Sequence, residues 1–95
     1  MTHLKARWTM LRHDHEAWGE SWWYCEFGAD GWLHRQVDVY DSGVRLRYGP
    51  SHLRDEFGAL GVVRLDEFDR GQTVPLSAHE FEVIWGSVGP SPTPP

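Results

Sequence analysis

Apolar and polar positions alternate along residues 4–11. Leu4, Ala6, Trp8 and Met10 interleave with Lys5, Arg7 and Thr9, the two-residue period of a strand with one buried face. Residues 13–20 are polar, contain Gly19 and read as a loop. Residues 21–27 are dense in aromatics without a helical period, which predicts a second strand. Asp30-Gly31 lies between two such runs and favours a two-residue hairpin turn, because both residues tolerate positive φ. Residues 32–40 then form a third strand. A turn at Asp41-Ser42-Gly43 leads to a fourth at residues 44–48, which Gly49-Pro50 ends because proline cannot donate to a ladder.

With Asp30-Gly31 as the loop, Glu26 lies opposite Arg35, Tyr24 opposite Val37 and Trp22 opposite Val39. With Ser42-Gly43 as the second loop, Val39 faces Leu46, Val37 faces Tyr48 and Asp38 faces Arg47. One face then carries Trp22, Tyr24, Leu33, Val37, Val39, Val44, Leu46 and Tyr48, the expected core. The other carries Trp23, Cys25, Phe27, Trp32, His34, Gln36, Asp38, Tyr40, Arg45 and Arg47. A one-residue slip exchanges the two faces.

Beyond the strands, residues 51–60 are ambiguous. Leu53, Phe57 and Leu60 have helical spacing, but Gly58 and Gly61 limit any helix to about two turns. Residues 62–65 suggest a short strand and 66–74 an acidic surface loop. Residues 76–85 read as a helix. Ser77 and Glu80 make a capping box, and Phe81, Ile84, Trp85 and Val88 share one face at i, i+3, i+4 and i+7. The expectation is one α+β domain over residues 1–88, an antiparallel meander of four to five strands packed against one C-terminal amphipathic helix. Residues 89–95, with four prolines, read as a disordered tail.

Composition narrows the function classes. A chain of 95 residues buries only about 60–65% of its unfolded surface, so large side chains must supply the core. Six Trp, four Phe and three Tyr meet that need. The single cysteine, Cys25, excludes an internal disulfide and argues for a reducing, cytoplasmic compartment. No apolar run is long enough for a signal peptide or a membrane span. The net charge of −5 argues against nucleic acid and suits a basic partner.

Four constellations are candidates for chemistry. Glu26 and Arg35, flanked by Trp22 and Tyr24, form a polar anchor in a pocket between sheet and helix, or else a plain cross-strand ion pair. His13 and His15 share a direction, with Asp14 and Glu16 nearby. No third or fourth ligand has recognisable spacing, so no metal and no cofactor is expected. Cys25 faces Gln36 with His34 diagonal, too little to mark a nucleophile, and no other catalytic motif appears. Trp23, Phe27, Trp32, His34, Asp38 and Arg47 share the outer face, and Trp and Arg dominate protein–protein hot spots. The bland reading is that residues 51–74 cover this face. Trp8, Trp22 and Trp85 are assigned to packing, and Trp18 to no role.

The runs Trp8 with His13-Asp14-His15, Trp23-Tyr24-Cys25-Glu26-Phe27, Arg35 through Gly43, and Ser77-Ala78-His79-Glu80-Phe81-Glu82 closing on Trp85 resemble a family of short bacterial proteins of unknown function. The likeness spans residues 4–48 and 75–85; 49–74 do not match. Asp38 stands where the family pattern has Glu, and Ser42 interrupts its turn. The resemblance implies an immunity-type protein that neutralises a cognate toxin, and it transfers no catalytic residues; the acidic charge suits a basic toxin, and a larger assembly is a separate, alternative partner. The alternative expectation is a small-molecule-binding domain, small enzyme or accessory subunit of a biosynthetic pathway, using the Glu26–Arg35 pocket.

Overall fold

The computed structural model describes residues 1–68 and 72–88; the expected disordered tail lies outside the described residues. Five strands form an antiparallel sheet: β1 (Thr2–Trp8), β2 (Ser21–Phe27), β3 (Leu33–Tyr40), β4 (Arg45–Tyr48) and β7 (Thr73–Pro75), in the order β4-β3-β2-β1-β7. A separate hairpin pairs β5 (Arg54–Asp55) with β6 (Gly58–Ala59). The helix, α1, spans Ala78–Gly86. The α+β architecture is therefore as the hydrophobic pattern predicts, with β1 to β4 a meander. β7 is an addition. It falls in the stretch that reads as an acidic loop, and it pairs with only three residues of β1.

Both hairpin loops contain three residues rather than two. At the first, Gly31 N donates to Gly28 O (3.0 Å), Gly28 N donates to Trp32 O (2.9 Å), and Gly31 adopts φ +85°. The pairing then shifts: Phe27 faces Leu33 but Glu26 faces Arg35. His34 is the extra residue, a bulge. The longer loop and the bulge cancel, so the register expected for Glu26, Tyr24 and Trp22 holds. At the second hairpin Tyr40 N donates to Val44 O (2.9 Å) and Gly43 has φ +98°, but no bulge compensates. Val37 faces Arg47, Val39 faces Arg45, and Asp38 faces Leu46. The expected Asp38–Arg47, Val39–Leu46 and Val37–Tyr48 pairs are thus overturned by one added loop residue.

That slip redistributes the core. Alternation along the observed ladders puts Leu4, Trp23, Cys25, Gln36, Asp38, Leu46 and Tyr48 on one face. The bulge turns Leu33 to the same side, where it packs with Leu4, Cys25 and Phe27. Residues 53–68 roof this face. Leu60, Val63, Leu65 and Phe68 pack on the Leu4–Cys25–Phe27–Leu33 group, and Phe57 and Leu60 on Trp18, Tyr40, Leu46 and Tyr48. Of the expected core, Leu33, Val37, Leu46 and Tyr48 are buried, whereas Trp22, Tyr24, Val39 and Val44 are half-buried. The opposite face carries His3, Lys5, Trp22, Tyr24, Glu26, Arg35, Val37 and Arg47, and α1 packs on part of it. The sheet is the middle of three layers.

The roof is tied down by polar contacts. Instead of a short helix, residues 54–59 make the β5–β6 hairpin. Asp55 Oδ1 accepts from Phe57 N (2.8 Å), Gly58 N (3.2 Å) and the Tyr48 hydroxyl (2.8 Å), an arrangement that favours a turn over a helix. Residues 62–65 form only a bridge, with Leu33 N donating to Val63 O. The α1 capping box forms as predicted: Glu80 N donates to Ser77 Oγ (3.0 Å) and Ser77 N to Glu80 Oε1 (3.1 Å). Among the described residues no helix is long and apolar enough to cross a membrane.

Candidate functional site

Glu26 and Arg35 meet as the register requires. Arg35 Nε donates to Glu26 Oε1 and Nη2 to Oε2, both at 2.7 Å. His3 Nε2 lies 2.9 Å from the same Oε2. The Arg35 hydrogen bonds hold the Glu26 carboxyl down at about 2, against the opposing effect of burial, with His3 assisting. Arg35 also bonds Glu82 of α1, and carboxylates on two sides raise its affinity for the proton, Glu26 foremost. Its guanidinium lies 5.0 Å from the Phe81 ring centre and 4.8 Å from that of Trp85. The pair is therefore neither a simple surface ion pair nor an open pocket. It is the latch on which α1 closes.

Arg47, one strand over, extends the latch. Its guanidinium lies 4.6 Å from the Trp85 ring centre, and Nη1 donates to Trp85 O (3.0 Å). A cation at the last turn of a helix satisfies a free carbonyl and complements the helix dipole. Gly49 completes the seat. A Cβ there would stand 3.0 Å from Trp85 Cη2 and 3.2 Å from Arg35 Cγ, so any larger residue would push the indole or the Arg35 stem back by a few tenths of an ångström.

Beside Trp85 opens a cleft of about 390 Å³. Arg35, Arg47, His34 and His52 supply its polar wall, and Gly49, Pro50 and Ser51 the rest. No carboxylate lines it among the described residues. Its polar side chains differ in how far they are already engaged. Arg35 has Glu26 and Glu82; His52 has Asp55 at 2.9 Å and stacks on Tyr48. Among the described residues Arg47 meets only the helix carbonyl. A concave wall of donors with one uncompensated guanidinium is chemistry for an oxyanion.

Two other clefts are less equipped. One of about 360 Å³ lies between Trp8, stacked on Trp23 at 4.7 Å, and Val63 and Phe68. It is apolar, and the Arg7 at its edge already holds Asp41 through both oxygens and Glu20 as well. The other, about 310 Å³, lies between α1 and Lys5 and Tyr24.

The six residues expected on one outer face are divided. Phe27 is buried in the roofed core and Trp23 is half-buried beside it. Asp38 is buried on that same face; burial pushes its carboxyl up to about 7, against the hydrogen bonds from Gln36 Nε2 at 3.1 and 3.3 Å. Trp32 is exposed at the first hairpin, beneath the Arg64 guanidinium. Of the six, His34 and Arg47 line the Trp85 cleft together, because the slip at the second hairpin turns Arg47 to the other side of the sheet. Arg35, from the alternative pocket, joins them there. Glu26 lies behind Arg35, while Trp22 and Tyr24 sit apart under Lys5, at 4.7 and 5.6 Å.

Gly49, His52 and Trp85 carry no functional assignment from sequence. Trp85 is legible only as a packing residue, and the one signal near the others is Gly49-Pro50 closing a strand. Burial pushes the Cys25 thiol up, away from the thiolate. His15 stacks on Trp18 at 4.2 Å, and no cluster of three metal-ligating side chains exists among the described residues. Comparison with protein-family models, curated proteins and solved structures gives no match; the family resemblance rests on the motif residues alone.

Proposed function

We propose that the protein is a binding domain for a small anionic molecule, with its site in the cleft beside Trp85. One observation carries this reading. In a chain of net charge −5, two arginines and two histidines line one cleft of about 390 Å³ from which carboxylates are absent among the described residues. The volume falls within the roughly 300–1,000 Å³ of small-ligand clefts, and the site lies at the junction of sheet and helix. Rigid strands present Arg35 and Arg47, and the Glu26 bond and the Trp85 indole fix their directions, so little side-chain freedom is lost on binding.

The immunity-type reading implies a protein partner instead. Of its six motivating residues, Phe27 and Asp38 are buried under residues 53–68 and Trp23 is half-buried, so they do not form one continuous outer face.

Calorimetric titration with phenyl phosphate tests the proposal. The wild-type chain binds one equivalent. Arg47→Met keeps the aliphatic stem against Trp85 but removes the charge, and weakens binding by roughly 10- to 100-fold, as loss of a charge-assisted hydrogen bond implies. Undiminished binding by Arg47→Met, with its thermal unfolding unchanged, would move the site elsewhere. No binding by wild type would end the proposal.

A further inference from the structure

The apolar cleft on the roofed side of the sheet has the opposite charge character. Its space of about 360 Å³ lies between Ala6, Trp8 and Trp23 of the sheet and Gly61, Val63 and Phe68 of the roof. Two charged residues also line it, Arg7 and Glu67. Asp41 meets Arg7 through both oxygens and Glu20 through one, so two carboxylates outweigh that guanidinium. Glu67 is exposed at the end of the short 3-10 turn Leu65–Glu67. Its carboxylate has no hydrogen-bond or ion-pair partner among the described residues. The tryptophans give a second, independent observation. Trp18, Trp22, Trp32 and Trp85 each have a Lys or Arg cation within 5.5 Å of a ring centre. Trp8 and Trp23 have none among the described residues, although Trp8 is 44% exposed. They stack on each other at 4.7 Å, and both line this cleft.

We infer that this cleft is a second binding site, for a small organic ammonium ion with an apolar body. The volume falls within the range of small-ligand clefts. An indole wall sheds water from the ligand's hydrocarbon, as an aliphatic wall does, and its ring quadrupole also attracts a cation. Glu67 supplies the countercharge at the cleft wall. A neutral apolar molecule gains the wall and leaves the carboxylate unused. An anion meets Glu67 and an arginine whose donors are already taken. The site is separate from the Trp85 cleft and does not depend on the anion reading.

Benzyltrimethylammonium and benzyl alcohol share a ring and differ in charge. Each is titrated into the full chain at pH 7 and followed by two-dimensional NMR of the amide and indole N–H groups, which reads site and affinity together. Wild type binds benzyltrimethylammonium at least about tenfold tighter than benzyl alcohol, with shifts at the Trp8 and Trp23 indoles and the Gly61 amide. Glu67→Gln keeps the shape of an exposed side chain. It weakens binding of the cation by about three- to tenfold and leaves benzyl alcohol unchanged. Trp8→Leu keeps an apolar wall without the indole quadrupole and also costs the cation more than the alcohol. No binding of the cation, equal affinity for the two probes in wild type, unchanged cation affinity in Glu67→Gln, or shifts confined to the other tryptophans overturns the inference. None of these outcomes bears on phenyl phosphate at Trp85, so the two sites stand or fall separately.

Discussion

Asp38 and Glu26 are two buried carboxylates on opposite faces of one sheet, and their surroundings drive them apart. Glu26 meets a guanidinium through both oxygens and stays ionised. Asp38 meets only the Gln36 amide, whose own Oε1 is taken by Gly61 N at 2.7 Å, and burial favours its neutral form. The pH windows follow. Glu26 is depressed from 4.5 to about 2, so its stabilisation is present at neutral pH and is lost as pH falls through that range. Asp38 is raised from 3.8 to about 7. The unfolded chain releases that proton first, so Asp38 stabilises the fold at low pH and loses this effect as pH rises from about 4 to about 7, by on the order of 4 kcal/mol. Asp38→Asn removes the titration. In urea unfolding at stepped pH, the variant shows a flatter stability profile over that interval and exceeds wild type at pH 7. A slope in the variant equal to that of wild type would contradict this assignment.

At the scale of elements, Gly49 joins β4 to the roof and also carries the α1 indole. Its φ is not positive, so backbone strain is not the constraint; the close approach of Trp85 and Arg35 is. Gly49→Ala destabilises by about 1–3 kcal/mol through overpacking and weakens phenyl phosphate binding, because Trp85 shifts at the cleft wall. A variant with wild-type stability and affinity would show that the indole has room. The same elements show what the sequence discloses. Alternation and turn residues give β1 to β4, and Ser77 with Glu80 gives the helix start, because these signals are local. Loop length is not. Asp30-Gly31 and Ser42-Gly43 both look like two-residue turns, yet each glycine closes a three-residue loop. His34 absorbs the difference at the first, and nothing does at the second. One residue thereby sends Leu46 and Tyr48 to the roofed face, beside Asp38, and Arg47 to the helix side. The covering of the outer face by residues 51–74 is one of the two readings the sequence offers, and it is the one the fold adopts; the β5–β6 hairpin within it and β7 are not legible, because short, weakly patterned segments take their structure from the faces they cover.

For the whole molecule, the roof decides which side of the sheet is available. It buries Phe27 and Asp38 and covers part of Trp23, while the Trp85 cleft, with its two arginines, opens on the opposite face of an acidic protein. Only Arg35, His34 and Arg47 of that cleft are singled out by sequence, and for surfaces that the fold does not build. Its other members come from the 49–52 turn and the helix end, brought together by tertiary contacts that no local pattern encodes. The most direct test is where an anion lands. In a two-dimensional amide and indole NMR titration of the wild-type chain with phenyl phosphate, the account predicts saturable shifts at the Trp85 indole N–H and the amides of Gly49 and Ser51, with Trp8 and Trp23 unmoved. Shifts confined to the Trp8–Trp23 cleft or to Lys5 and Trp22, or no saturable shifts at all, would contradict it.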